Sequence, residues 1–241
     1  MVKIFDATYR LFMCIWGQAR SGFRGNPIKG ASLADTASRL GVTRMPMARA
    51  ALAHMRSDAA TASIMDEKWL APSTDLDALL ALPEDTLGYT YARLITDKGY
   101  DPAFYDEIST EDDAGYVGMR MRQTHDLWHV ITGIETDFFG ELALQACMVA
   151  QLHLGLAVFQ LVAGLVRTVL KSPEELPRVM ACIVHGYTIG RQAGPLLAQK
   201  FELGWERPLR DWQRELGIVP TAPWLQRELS APIGGMELVG G

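Results

Sequence analysis

The chain has 241 residues, 49% of them hydrophobic and 21% charged, with a formal net charge of −5. A chain of this length and hydrophobicity can bury a sizeable core and is not disordered. Its acidic balance speaks against a nucleic-acid partner, which would need a basic face.

Periodicity reads as helix almost throughout. Phe5, Tyr9, Phe12 and Trp16 fall at i, i+4, i+7 and i+11, one apolar stripe. Residues 1–30 carry Lys3, Arg10, Arg20, Arg24 and Lys29 against Asp6 alone. Residues 1–24 thus form an amphipathic helix that either lies on an anionic membrane surface or docks on the protein's own core. The signal peptide's unbroken apolar stretch and small-residue cleavage site are not found there. Short helices are expected at Ser32–Leu40 and Pro46–Met55. Two more run from Asp75 to Leu82, stopped by Pro83, and from Asp85 to Lys98, stopped by Gly99.

After an acidic stretch at 101–113, a helix should span Ala114 to Gly133. The next should start near Asp137 and reach Leu170, bent around Gly155 or Gly164. Helices at Pro177–Gln192 and Arg207–Leu216 close the set. The run from Leu142 to Val166 has no charged residue, which is long enough to raise the question of a membrane span. Its glutamines, His153 and two glycines favour a buried helix instead. Cys14, Cys147 and Cys182 are widely spaced in apolar runs, so reduced, buried thiols are expected rather than a disulfide framework or zinc knuckle. Sustained alternation is lacking, so no strand is predicted. The expectation is one all-α domain over residues 1–241, a helical bundle.

Chemistry concentrates in Arg120-Met-Arg122-Gln-Thr-His125-Asp126-Leu-Trp-His129. At 100° per residue, with His125 as zero, His129 lies near 40°, Arg122 near 60° and Asp126 near 100°, while Arg120, near 220°, points away. One narrow face therefore carries two imidazoles, a carboxylate and a guanidinium. The remaining positions from Leu127 onward are apolar, so this polar face looks into the protein, where unpaired charge is costly. A metal cation would relieve that cost, and histidines at i, i+4 are a well-attested way for a helix to bind one. Glu141, just past the turn marked by Gly133 and Gly140, can reach the same point if the two helices pack antiparallel. Two histidines and two carboxylates suit Zn²⁺, Fe²⁺ or Mn²⁺ alike. The competing reading is a pair of hydrogen-bonded core histidines, with Arg122 and Asp126 simply paired at i, i+4.

The spacing His125-Asp126-x-x-His129-x11-Glu141 resembles the signature of the ubiquinone (coenzyme Q) biosynthesis protein 4 family. The surrounding text is similar as well: Tyr116-Val, Arg120-x-Arg122, His129-Val-Ile-Thr-Gly133 and Gly140-Glu-Leu-Ala-Leu-Gln145. Farther on, Gly190-Arg-Gln-Ala and Trp205-Glu-x-Pro-Leu-x-x-Trp212-x-x-Glu-Leu-Gly-Ile218 look like the family's closing segment. The resemblance implies an all-helical fold and one divalent metal on His125, Asp126, His129 and Glu141. It implies partnership with other ubiquinone-biosynthesis proteins at a membrane surface, in a cytoplasmic location peripheral to the inner membrane face, with a homodimer as a further option. The implied reaction replaces the ring carboxylate of a polyprenylated hydroxybenzoate-type precursor by hydroxyl. The alternative is a non-catalytic scaffold that gathers lipid intermediates and enzymes.

Other residues fit that implication. From Glu141 along one helix face come Gln145, Met148, Leu152, Gly155, Leu156 and Phe159. This polar-to-apolar lane is suited to a ring head and an isoprenoid tail, although each residue singly reads as ordinary core. Leu152, Gly155, Leu156 and Phe159 would line the hydrophobic tail channel. Arg122 would hold the substrate carboxylate and Asp126 would join the catalytic machinery. Arg120 is expected to be structural or at a surface. His153 and His185 read as core histidines, and Trp205, Trp212 and Trp224 as packing for the closing helix. A metallohydrolase is the third reading, but Asp126 stands where that motif has a glutamate base.

Overall fold

The computed structural model describes residues 46–100 and 109–220, and every extended element among them is helical. The chain forms α1 (Pro46–Ser57), α2 (Ala59–Glu67), α3 (Leu76–Leu80), α4 (Leu87–Lys98) and α5 (Asp113–Thr132). It continues through α6 (Phe138–Leu152), α7 (Gly155–Lys171), α8 (Leu176–Gln192) and α9 (Leu209–Glu215). The expected helices at residues 1–24 and 32–40 lie outside the described residues, as do Cys14 and Trp224.

Local chemistry explains most boundaries. Asp58, Asp75, Thr86, Asp112 and Asp137 each sit in extended conformation one residue ahead of a helix. Each accepts a hydrogen bond from the backbone N–H three residues on, which satisfies one of the four donors a helix start leaves over. Gly99 and Gly133 end α4 and α5 with left-handed φ of 64° and 67°, where glycine has no steric penalty.

The long helix expected from Asp137 to Leu170 is two helices. The chain breaks at His153, itself left-handed at φ 52°, and Leu154. Neither glycine is the bend. Gly155 is the first residue of α7, and Gly164 lies where any Cβ would collide with Leu142. That contact, twelve residues back from the turn on α6 and ten beyond it on α7, makes the pair an antiparallel hairpin. The uncharged run is therefore a folded-back pair, and no helix among the described residues is long and apolar enough to cross a membrane.

α6 sits at the centre. α8 runs parallel to it, because Gly186 abuts the Ala143 carbonyl and Gly190, one turn on, abuts the Cys147 carbonyl. Side chains at those two glycines would meet backbone, so α6 and α8 can approach this closely only without them. A single core joins Leu87 and Ile95 of α4, Tyr116, Leu127, Trp128 and Ile131 of α5, Leu144 and Met148 of α6, and Phe201 and Trp212 near the end. Cys147 and Cys182 are free and buried as expected, and burial pushes their thiols up to about 12 and about 11.

Candidate metal centre

α5 and α6 meet at a corner that presents three ligand atoms to one point. Gly133 closes α5, Asp137 caps α6 through the Gly140 N–H at 2.8 Å, and Gly140 packs against the Glu135 carbonyl. This tight turn folds α6 back along α5 and sets Glu141, in its first turn, opposite His125 and His129. His129 Nε2 lies 3.4 Å from Glu141 Oε1, and His125 Nε2 lies 3.6 Å from Oε2. All three ligand atoms fall within 4.8 Å of one another.

The tautomer of His129 is dictated by its neighbour. Its Nδ1 is 2.9 Å from the Ile134 carbonyl, which can only accept, so Nδ1 carries the proton and donates it. Nε2 is left as a lone pair aimed at Glu141, and this buried atom has no hydrogen-bond partner. A backbone carbonyl orienting a histidine in this way is the usual second shell of a metal ligand. An orphaned lone pair beside a carboxylate and a second imidazole fits a divalent cation. A pair of self-satisfied core histidines would not leave it unpartnered.

Electrostatics agree. Burial alone would disfavour a charged His125, but Glu141 and then Asp126 outweigh it and push its pKa up to about 9. Burial would likewise raise Glu141, yet the charged His125 beside it holds its carboxyl well below the usual carboxylate range. Without a metal, the corner is an imidazolium–carboxylate pair.

The other expected site residues divide. Asp126, half-buried, stands outside the three-residue cluster, as its place on the far edge of the helix face allows. It is still close enough for its charge to act on His125 and on Tyr91 of α4. Arg122 is half-buried on the same helix. Arg120 is structural rather than superficial: fully buried, it bonds Glu202 at 2.6 and 3.0 Å and the Gln199 carbonyl at 2.6 Å.

Of the lane, Gln145, Met148 and Leu152 are buried along the Glu141 face of α6. The turn at His153 interrupts that face, so Gly155, Leu156 and Phe159 belong to a different helix. Gly155 faces Met47 of α1, and Phe159 is 49% exposed. His185 bonds the Pro220 carbonyl and His153 stacks on His54, both away from the cluster.

Tyr91 was not foreseen. It is buried and stacked on Trp205 with centroids 5.2 Å apart. Burial first, then the charges of Asp126 and Glu202, push its hydroxyl pKa upward. In sequence it shares an apolar face with Leu87 and Ile95, and only the packing of α4 on α5 relates it to Asp126.

The family profile described as "Coenzyme Q (ubiquinone) biosynthesis protein Coq4" matches residues 15–222. The human ubiquinone biosynthesis protein COQ4 homolog, mitochondrial, is 32% identical over 173 residues, covering 70% of this chain and 64% of that protein. The rat homolog is 31% identical over 176 residues, covering 71% and 66%. The Anopheles gambiae homolog is 28% identical over 153 residues, and there the match spans 54% of the relative's length. The chain thus spans between about half and two thirds of these relatives. A crystal structure from Nostoc punctiforme, provisionally described as a ubiquinone biosynthesis protein, superposes with a TM-score of 0.69 at 28% identity. The match covers 88% of this chain and 97% of that one.

Proposed function

The chain belongs to the family of the coenzyme Q (ubiquinone) biosynthesis protein Coq4, and from that premise we propose that it is a metal-dependent enzyme acting on a polyprenylated hydroxybenzoate-type acid. The ring carboxylate is replaced by hydroxyl. One divalent ion, zinc, iron or manganese, would sit on His125, His129 and Glu141, with Asp126 at the rim of the site. The observation that carries this reading is the buried, unpartnered Nε2 of His129 facing Glu141.

When bound, the ion would supply a Lewis acid for the ring phenolate or for water. The chain's own groups supply the rest. Arg122 holds the substrate carboxylate through paired, charge-assisted hydrogen bonds. Asp126 accepts the proton of the incoming water. The tail lies along Gln145, Met148 and Leu152 of α6 and passes to Gly155, Leu156 and Phe159 of α7. The balance is one aryl carboxylic acid, one water and one dioxygen giving the phenol, carbon dioxide and hydrogen peroxide. Two electrons pass from the ring–carboxyl bond to dioxygen.

The substrate's tail makes a membrane surface its source, on which the basic residues 1–24 would lie, and other pathway proteins or a second copy its neighbours. The curated relatives carry "mitochondrial" in their names; for this chain the proposed place is cytoplasmic, peripheral on the inner membrane face. The buried apolar run on α6 also favours a second reading, a lipid-holding scaffold without turnover.

The full-length protein, loaded in turn with zinc, iron or manganese, is incubated aerobically with a prenylated hydroxybenzoate and the products are weighed by mass spectrometry. The enzyme reading expects the decarboxylated, hydroxylated ring with at least one metal and none after chelation. Tight lipid binding with no product under any metal would leave the scaffold.

A further inference from the structure

α7 is built inside out. It turns Ala157, Ala163, Gly164 and Thr168 inward, all buried, and presents Val158, Phe159, Val162, Val169 and Leu170 to solvent. Those five fall within an arc of about 120° around the helix, a continuous apolar face of the width that normally packs on a core. Among the described residues ten large hydrophobic side chains are exposed, and eight belong to α7 and α8, the other three being Met180, Val184 and Tyr187. Such concentration marks an interaction surface, whereas scattered exposed apolar residues mean nothing.

Charge identifies the partner. Neither helix contains an acidic residue, while Arg167, Lys171, Arg178 and Arg191 make the pair +4; the turn between them adds Glu174 and Glu175, so residues 155–192 carry +2. The whole chain is −5, so everything outside residues 155–192 carries −7. We propose that the outer face of α7, flanked by α8, lies flat on an anionic phospholipid bilayer. An apolar helix face with basic flanks is the layout of an interfacial helix, and phosphate headgroups are the complementary surface. A second copy would set two net-basic faces against each other. The chain's own residues 1–24 are basic too, so charge gives them no reason to cover this face.

The placement also serves the site, and this part rests on the lipid-substrate reading above. The buried α6 face that starts at Glu141 ends at Leu152, with only His153 and Leu154 between it and the start of α7. A tail leaving that face would emerge beside Phe159, at the surface placed on the bilayer.

Vesicle co-sedimentation of the full chain tests this. Phosphatidylcholine vesicles are used alone and with about a third phosphatidylglycerol, the anionic component supplying the surface potential. The parent is compared with Val162→Asp/Val169→Asp, with Lys171→Glu/Arg191→Glu, and with Phe12→Asp/Trp16→Asp in the N-terminal stripe. The proposal expects the parent to bind the anionic vesicles and to release them at high salt. Each α7–α8 variant should lose roughly tenfold or more in partitioning, with helical circular dichroism and bound metal unchanged. If both bind as the parent does, or if only the N-terminal variant loses binding, the face is not the docking surface. If the parent sediments as a dimer and the Val162→Asp/Val169→Asp variant as a monomer, a second copy covers the face and the proposal falls. Failure of the metal-dependent reaction would leave vesicle binding intact, so the two readings can fail separately.

Discussion

α5 and α7 are both helices with their sides reversed, and they are reversed in opposite senses. α5 turns polar groups inward: Arg120, Thr124 and His129 are buried, and His125 and Glu141 of the next helix close on the same corner. α7 turns apolar groups outward and buries glycine, alanine and threonine. The inward charges of Arg120 find a partner inside the chain, Glu202. The lone pair of His129 finds none, as in a cluster that could hold a metal ion. For α7 the described residues supply no cover, and the partner has to be sought outside them. A buried polar group is costly unless something satisfies it, whereas an exposed apolar side chain costs little until a surface meets it. Substitutions in the two helices should therefore differ sharply in effect.

The largest effect is expected at Arg120. Arg120→Met strands the Glu202 carboxylate in the core and should cost about 3–5 kcal/mol, read from urea unfolding. Arg120→Met combined with Glu202→Met should recover most of that loss, because the remaining groups no longer need each other. A single variant as stable as the parent would show that the pair is dispensable and weaken the contrast.

Next comes the metal corner. Glu141→Gln or His129→Ala should lower metal affinity by more than the ~10–100-fold that follows loss of an outer-shell partner, measured by competition with a chelator. Asp126→Asn should stay within that ~10–100-fold range, since its carboxylate stands outside the cluster. Equal losses at Asp126 and Glu141 would make Asp126 a fourth ligand.

The pH dependence of the corner follows from His125, whose pKa is raised from 6.5 to about 9 by Glu141. In the metal-free protein the imidazolium–carboxylate pair stabilises the fold fully below pH 6.5, and that contribution fades as pH rises through about 9. A metal must displace the same proton, so its affinity should fall about tenfold per pH unit below that value and level off above it. Isothermal titration between pH 6.5 and 9.5, roughly spanning the two pKa values, would show a flat profile if His125 is not a ligand.

The smallest effect belongs to α7. Val162→Ser in solution should change unfolding free energy by no more than about 0.5 kcal/mol, as at ordinary surface positions. A loss of several kcal/mol would mean that the outward face is covered by part of this same chain.

Much of the helical framework was readable beforehand. Capping aspartates, Gly99, Gly133 and Pro83 act on their immediate neighbours, and the starts of α3 to α6 and the stops of α3 to α5 agree with the expected ones within a few residues. The break at His153 was not readable. A histidine in left-handed conformation has no reliable local signature, and the glycines nearby, which do signal bends, proved to be contact points for Met47 and Leu142. Arg120 could be placed off the site by its angle on the helix, yet its burial depends on Glu202, 82 residues away.

That His125 and His129 share one helix face, and that a turn sets Glu141 at the start of the next helix, follows from 3.6-residue periodicity and local capping alone. Packing between helices, by contrast, sets Glu141 against both imidazoles, leaves Asp126 outside that three-residue cluster and puts Tyr91 within the field of Asp126. The same holds for the folding-back of α7, which turns its valines to solvent. Each of these depends on how two helices approach, and close approach is governed by side chains distant in sequence, such as Gly186 against Ala143 and Leu142 against Gly164.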